Sequence, residues 1–220
     1  MKSILQVVII VAVLLPNALI SGVQSAPQKG VKKPTSPSAP PPVQAKTYHV
    51  VPAESSLTVF VAKAGALSFL AHDHNIAVRS YSGRVVVPAA GPGQGSLELD
   101  IDAKSLALLD KVSESDRKEI TNSMNNTVLE SGKFPKITFG SVNVSNFNGS
   151  NLTVNGDLTL HGTTKRIAVP VTVSATPQLL RATGRITIKQ TDFGITPYSA
   201  AAGSIKVKNE VVVSFNIVAR

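Results

Sequence analysis

Apolar and polar residues alternate with a period of two along most of the chain from Tyr48 onward. Successive side chains of a β-strand point to opposite faces, so this alternation predicts strands with one apolar and one polar face. The clearest segments are 56–61, 97–102, 152–160, 167–173, 186–188 and 211–217. Glycine-containing turn signals separate the segments, at 91–93, 148–150, 161–162 and 203–204.

One segment does not follow this alternation. Residues 113–129 are rich in helix-forming side chains, Ser113 and Asp116 have the spacing of a capping box, and Ile120, Met124 and Val128 fall on one stripe. The helix is therefore expected to lie over one end or side of a sheet. One helix among roughly eight or nine strands excludes parallel βαβ units. The pattern predicts an all-β sandwich or a closed antiparallel barrel, and a barrel of about eight strands can hold a ligand.

The first 46 residues have a different composition. Residues 1–25 have the layout of a secretory signal peptide: one basic residue, an apolar run of about 12 residues and small residues at the end. Residues 26–46 are rich in proline and lysine and are predicted to be an extended linker. The domain is therefore expected at 47–220, in the periplasm or secreted, with an uncleaved N-terminal membrane anchor as the alternative. The basic linker either rests on the membrane surface or is simply solvated.

Composition excludes several classes of function. The chain has no cysteine and no tryptophan, so disulfide scaffolds, thiolate metal sites and a cysteine nucleophile are excluded. The formal net charge is +9, but residues 47–220 carry 17 basic and 13 acidic side chains, and this mild excess gives no reason to expect a nucleic-acid partner. The sequence contains no Gly-x-Ser-x-Gly motif. Neither an enzymatic activity nor a cofactor is expected, and the pattern does not specify an oligomeric state.

Three motifs carry a family resemblance. The segments Phe134–Phe139 (FPKITF), Gly156–Lys165 (GDLTLHGTTK) and Thr191–Ile195 (TDFGI) resemble motifs of YceI-like proteins and occur in the same order. The resemblance covers about residues 47–220. It implies a lipocalin-like antiparallel β-barrel in the bacterial periplasm, which holds a polyisoprenoid such as a quinone precursor, or another long-chain amphiphile, in an apolar lumen.

The strand phases predict which side chains point inward. A filled core and a ligand-lined lumen have the same pattern; the residues alone favour the core, whereas the resemblance favours the lumen. The predicted lumen residues are Leu57, Val59, Leu97, Leu99, Ile101, Ile137, Phe139, Leu158, Leu160, Val169, Val171, Ile186, Ile188, Val213 and Phe215. A ligand-free envelope stress protein with a filled barrel is the corresponding alternative.

Histidines are the remaining candidates for chemistry. Many members of the family carry a histidine near the start of the first long strand and a second at its end, where this chain has residues 54–56 and Lys63. His72 and His74 occur later, and on a strand they would point to the same side. They are candidates for contact with a lipid head group. With His161 they are also candidate metal or haem ligands of an envelope protein, although a turn-stabilising role is the default for His161.

Overall fold

The computed structural model describes residues 44–68 and 72–220. The predicted signal peptide at 1–25 and most of the predicted linker at 26–46 lie outside the described residues. The described part contains twelve strands and one α-helix. The strands are β1 (Lys46–His49), β2 (Ser56–Ala64), β3 (His74–Val78), β4 (Tyr81–Val87), β5 (Ser96–Asp102), β6 (Leu106–Leu108), β7 (Lys136–Asn148), β8 (Asn151–Leu160), β9 (Thr163–Ala175), β10 (Leu180–Lys189), β11 (Ser199–Ala200) and β12 (Ile205–Ala219).

The helix α1 spans Glu114–Ser123 and continues as a π-helical turn, Met124–Val128. The side chain of Ser113 accepts a hydrogen bond from the backbone N–H of Asp116 at 3.1 Å, so the predicted N-cap is confirmed. Short 3₁₀ turns make up the other helical segments, at Pro52–Glu54, Pro92–Gln94, Ala103–Ser105, Gln190–Phe193 and Ala201–Gly203.

Every pairing among the described strands is antiparallel, as the sequence predicts. Hydrogen-bonded neighbours follow the order β1-β4-β5-β7-β8-β9-β10-β12-β2-β3-β6, and β11 pairs with β12. Because β1 continues into β2, this order returns to its starting point. Backbone hydrogen bonds between the end of β1 and the end of β12 complete the closure: the N–H of His49 donates to the carbonyl of Arg220 at 2.6 Å, and the N–H of Val51 donates to that of Val218 at 2.8 Å. The sheet is therefore a barrel and not a sandwich.

The expected number of about eight strands is wrong, because twelve are present in the described residues. The difference has a simple cause. Three long paths across the sheet are interrupted, between β1 and β2, between β3 and β4, and between β5 and β6, by short turns or unpaired residues. The twelve strands thus run along eight paths plus the short β11. The sequence periodicity reflects the eight paths, and each of the three interruptions divides one path into two strands.

The barrel has two distinct ends. The end where α1, the β8–β9 turn and the last residues of β10 lie is called the helix end. The far end contains the start of β1 and the β9–β10 turn. There the Tyr48 hydroxyl donates to the carbonyl of Thr176 at 2.7 Å. Each end has its own cluster of buried apolar side chains, around Met124 and Phe193 at the helix end and around Tyr48 and Leu180 at the far end.

Among the described residues, no helix combines the length and the apolar character that crossing a bilayer would require.

Candidate functional site

The barrel interior is hollow. It contains a cavity of about 310 Å³, which extends from Met124 and Gln190 at the helix end to Pro92 and Ser96 near the far end. All fifteen predicted lumen residues line this cavity. The filled core that the residues alone favoured is therefore wrong. That these side chains bind a ligand stays a prediction.

Strand register explains why the lumen positions could be predicted. Residues directly opposite each other in an antiparallel pair point to the same face. Leu158 lies opposite Phe139, and Val213 lies opposite both Ile186 and Val59, so each cavity residue is flanked by other inward-facing apolar side chains. A shift of one residue would place charged side chains inside the barrel, which makes other registers unfavourable.

Several lining residues were missed. Val85 and Val87 of β4 belong to a run of three valines, in which the alternation has no visible phase. Val61 and Val211 share the apolar face of the predicted segments 56–61 and 211–217, so the same alternation would have included them. Met124, Val128 and Leu129 reach the cavity from the helical segment. The stripe Ile120–Met124–Val128 faces the barrel, as expected, with Ile120 packed against the buried cluster at that end.

Few polar groups reach the cavity. The polar side chains among the lining residues are those of Ser96, Thr138, Ser141 and Gln190, and none of the lining side chains is charged. Two of them already bond to backbone: Ser141 accepts from the N–H of Leu97 at 2.7 Å, and Gln190 donates to the carbonyl of Lys208 at 2.9 Å. Such a lining suits an apolar chain better than a polar small molecule.

A polar cluster lies at the helix end. His74 is opposite Val61, a cavity residue, and its Nδ1 lies 2.9 Å from an Asp110 carboxylate oxygen. The backbone N–H of Asn75 donates to both Asp110 oxygens at 3.2 and 3.3 Å. Arg117 donates to the carbonyl of Asp110 at 2.7 Å, which ties the cluster to α1. Burial raises the pKa of the Asp110 carboxyl, but the hydrogen bonds from His74 and Asn75 outweigh it and leave this pKa below its usual value.

The strand that was expected to align His72 and His74 begins only at His74. His72 precedes this strand and is exposed, so no strand geometry aligns the two imidazoles on one face. Asp110 is not among the candidate residues that the sequence indicates. No local signal linked it to His74, because 36 residues separate the two.

His161 occupies the β8–β9 turn with a positive φ of 51°. Its Nε2 lies 2.7 Å from a carboxylate oxygen of Glu130, and its ring centroid is 4.4 Å from that of Phe134. The side chain is only 12% exposed. These contacts connect the turn to the segment that follows α1.

The three candidate metal ligands do not come together. In residues 44–68 and 72–220, no group of three or more His, Cys, Asp or Glu side chains has an arrangement that could hold a metal ion.

Comparisons with known proteins agree with this architecture. The sequence model of the YceI-like domain matches residues 48–219. The fold is similar to that of BcnA from Burkholderia cenocepacia, with a TM-score of 0.63, 24% identity and coverage of 78% of this chain and 99% of that chain. It is also similar to a polyisoprenoid-binding domain from Saccharophagus degradans, with a TM-score of 0.57, 16% identity and coverage of 79% and 97%. No curated protein matches the chain.

Proposed function

The chain belongs to the YceI-like family, and from this premise we propose that its barrel sequesters or carries one long-chain amphiphile, a polyisoprenoid or an acyl lipid. The observation that carries the proposal is the interior cavity of about 310 Å³, whose lining has no charged side chain. A polyisoprenoid-binding domain of similar fold supports the isoprenoid as the first ligand to test. The proposed role is binding, without a chemical reaction.

Energetics define what such a carrier must do. Burying a CH₂ group from water is worth about 0.8 kcal/mol, so a chain of about 40 carbons would sum to roughly 30 kcal/mol. That sum exceeds the practical ceiling for affinity, near roughly 18–21 kcal/mol. A membrane lipid, moreover, starts in an apolar bilayer and gains little hydrophobic energy on transfer. Shape and contacts of the head group must therefore decide retention.

The direct test is native mass spectrometry of the untagged protein, purified from its own envelope, before and after organic extraction. The intact protein is expected to carry a discrete added mass, and the organic extract is expected to contain a prenyl or acyl lipid of that mass. A protein that retains no lipid, even under gentle conditions, contradicts the proposal.

Leu158→Asp tests the cavity itself. Leu158 lines the cavity, and a buried carboxylate next to an apolar chain is strongly unfavourable, so this variant is expected to copurify without lipid. Thr183→Asp, on the exposed face of β10, is the matched control and should retain the lipid. A folded Leu158→Asp protein that still carries the same lipid would show that the lipid lies elsewhere.

We further propose that the chain is exported and that its basic linker stays near a membrane surface. The apolar run and small residues of 1–25 support export, and the lysines of 26–46 support the surface contact. N-terminal sequencing of the mature protein tests the first part: a start near Ala26 is expected, and an intact Met1 in the membrane fraction would favour the anchored alternative.

A further inference from the structure

The barrel wall opens between β9 and β10. β9 pairs with β8 from Thr163 to Thr172, and β10 pairs with β12 along its whole length. Between β9 and β10, however, the pairing runs only from Leu180↔Ala175 to Gly184↔Val171. Residues 163–170 and 185–189 therefore face each other without a ladder of hydrogen bonds. This opening is called the β9–β10 gap.

Local sequence explains where the pairing stops. Pro170 has no N–H to donate to β10. Gly184 is packed so closely by the Phe215 ring and the Pro170 carbonyl that a Cβ atom would overlap both. Beyond this point each strand is fixed to its other neighbour. Arg166 of β9 donates to Asp157 of β8 at 2.6 Å.

The end of β10 is fixed in the same way to β12. Just after β10, the backbone N–H of Thr191 donates to the side-chain oxygen of Asn209 at 3.0 Å, and the side-chain amide of Gln190 donates to the Lys208 carbonyl at 2.9 Å. The Gln190–Phe193 turn also contacts β9 and bounds the gap at the helix end. The opening is thus a window with fixed edges.

A groove of about 490 Å³ lies along the gap. It is lined by Lys165, Arg166, Ile167, Thr187, Ile188, Lys189, Asp192 and Phe193. Lys165, Ile167 and Ile188 belong to the inner face, since they lie opposite Leu158, Gly156 and Val211. Arg166, Thr187 and Lys189 belong to the outer face, opposite Asp157, Val212 and Glu210. Residues of both faces thus line one groove along the stretch where β9 and β10 are not paired.

Two isoleucines separate the groove from the lumen. Ile167 and Ile188 line both the interior cavity and the gap. Rotation of these side chains would join the two spaces without breaking a backbone hydrogen bond between β9 and β10. Where the ladder between two strands is continuous, separating them would break such bonds, so the gap offers a lateral route into the cavity that leaves the backbone pairing intact.

The charges at the gap select the kind of head group. Lys165 and Lys189 have no ion pair or side-chain hydrogen bond with any described residue. Arg166, by contrast, forms an ion pair with Asp157. The carboxylate in the lining of the gap is that of Asp192. His74, the earlier head-group candidate, already has Asp110 as its partner.

We propose that the β9–β10 gap is a lateral portal for an amphiphile with an anionic head group, which Lys165 and Lys189 hold while the apolar chain passes between Ile167 and Ile188. The proposal rests on the lipid-binding function proposed above and adds the route of entry and the charge of the ligand.

The charge preference can be tested with cis-parinaric acid, a fluorescent fatty acid, and its uncharged methyl ester. In the double variant Lys165→Glu, Lys189→Glu, affinity for the acid should fall about tenfold or more, the loss of a charge-assisted contact, while affinity for the ester stays within about twofold. The double variant Lys104→Glu, Lys136→Glu changes the net charge equally at exposed positions outside the gap lining, and should bind both probes as the unchanged protein does.

The outcomes separate the two proposals. If the unchanged protein binds neither probe, the lipid-binding function itself fails. If it binds both and the gap variant loses neither, or loses both equally, the assignment of Lys165 and Lys189 to an anionic head group is overturned.

The route can be tested by cross-linking, because the chain has no native cysteine. Ala168→Cys with Thr187→Cys, bridged by a bismaleimide, would span the gap on the outer face. Ser174→Cys with Arg181→Cys, bridged in the same way, joins the paired part of the same strands and is the control. In stopped-flow measurements, the association rate of cis-parinaric acid should fall about tenfold or more in the variant bridged across the gap, and should not change in the bridged control. An unchanged rate in the fully bridged gap variant would overturn lateral entry.

Discussion

At the scale of single residues, Asp110 shows how one side chain fixes the helix end. Its carboxylate receives hydrogen bonds from His74 and Asn75 at the start of β3, and its backbone carbonyl accepts from Arg117 of α1. The carboxylate is 18% exposed, so water screens these bonds only partly. Because its pKa is lowered in the folded protein, its ionised form stabilises the fold.

Asp110→Asn is expected to lower the free energy of unfolding by about 1–3 kcal/mol at neutral pH, the contribution of hydrogen bonds to a charged group. The stabilisation is complete above the unfolded-state pKa of about 3.9 and is lost as the pH falls below it. Urea unfolding at several pH values should therefore show the two proteins converging in acid. Asp100→Asn, on the exposed face of β5, is the control. A difference that is equal at every pH would mean that charge is not its source.

At the scale of elements, α1 depends on its ends and on the barrel. A ten-residue helix is marginal in isolation, and none of its own residues is fully buried. In the π-helical turn that follows, the N–H of Leu129 donates to the carbonyl of Met124 at 2.9 Å, which brings the two residues next to each other. Both side chains then reach the cavity. The sequence predicted Ile120, Met124 and Val128 but missed Leu129, because an i→i+5 bond changes the period that an α-helix would follow.

Ser113→Ala removes the N-cap and is expected to lower the free energy of unfolding by about 1 kcal/mol. Ser115→Ala, two residues later inside the helix, is the matched control, and it should be neutral or slightly stabilising because alanine has the higher helix propensity. Chemical denaturation of the three proteins measures the difference. Equal losses for both variants would show that the cap contributes no stability.

At the scale of the whole molecule, the last residues close the barrel. Val218 and Ala219 are 1% and 0% exposed, and the backbone of 218–220 pairs with that of 49–51. The first and last strands of the barrel are thus held together by contacts between segments more than 160 residues apart. Closure leaves no free edge at this seam, where an unpaired strand would otherwise invite aggregation.

Deletion of residues 218–220 should therefore cost more than about 3 kcal/mol, since a buried valine and several backbone bonds are lost together. Circular dichroism during thermal unfolding measures the loss. Arg220→Ala removes only the exposed ion pair with Glu54 and should change stability little. A truncated protein that unfolds at the same temperature would mean that the seam does not support the barrel.

The sequence by itself determined the class of fold, the N-cap of the helix and the inward phase of the strands. All fifteen predicted lumen residues line the cavity because the pleat of a strand is a local property: once one face is apolar, every second side chain follows. Motifs in short segments sufficed for the family, since turns and strand ends are also local.

Only the tertiary structure decided the rest. The contact of His74 with Asp110, the closure of β1 against β12 and the end of the β9–β10 pairing each depend on which distant segments meet and in what register. Packing across the whole barrel sets that register. The tertiary structure also decided that the interior is hollow. A side chain that fills a core and one that lines a cavity belong to the same apolar strand face, and they differ only in whether other atoms fill the space in front of them.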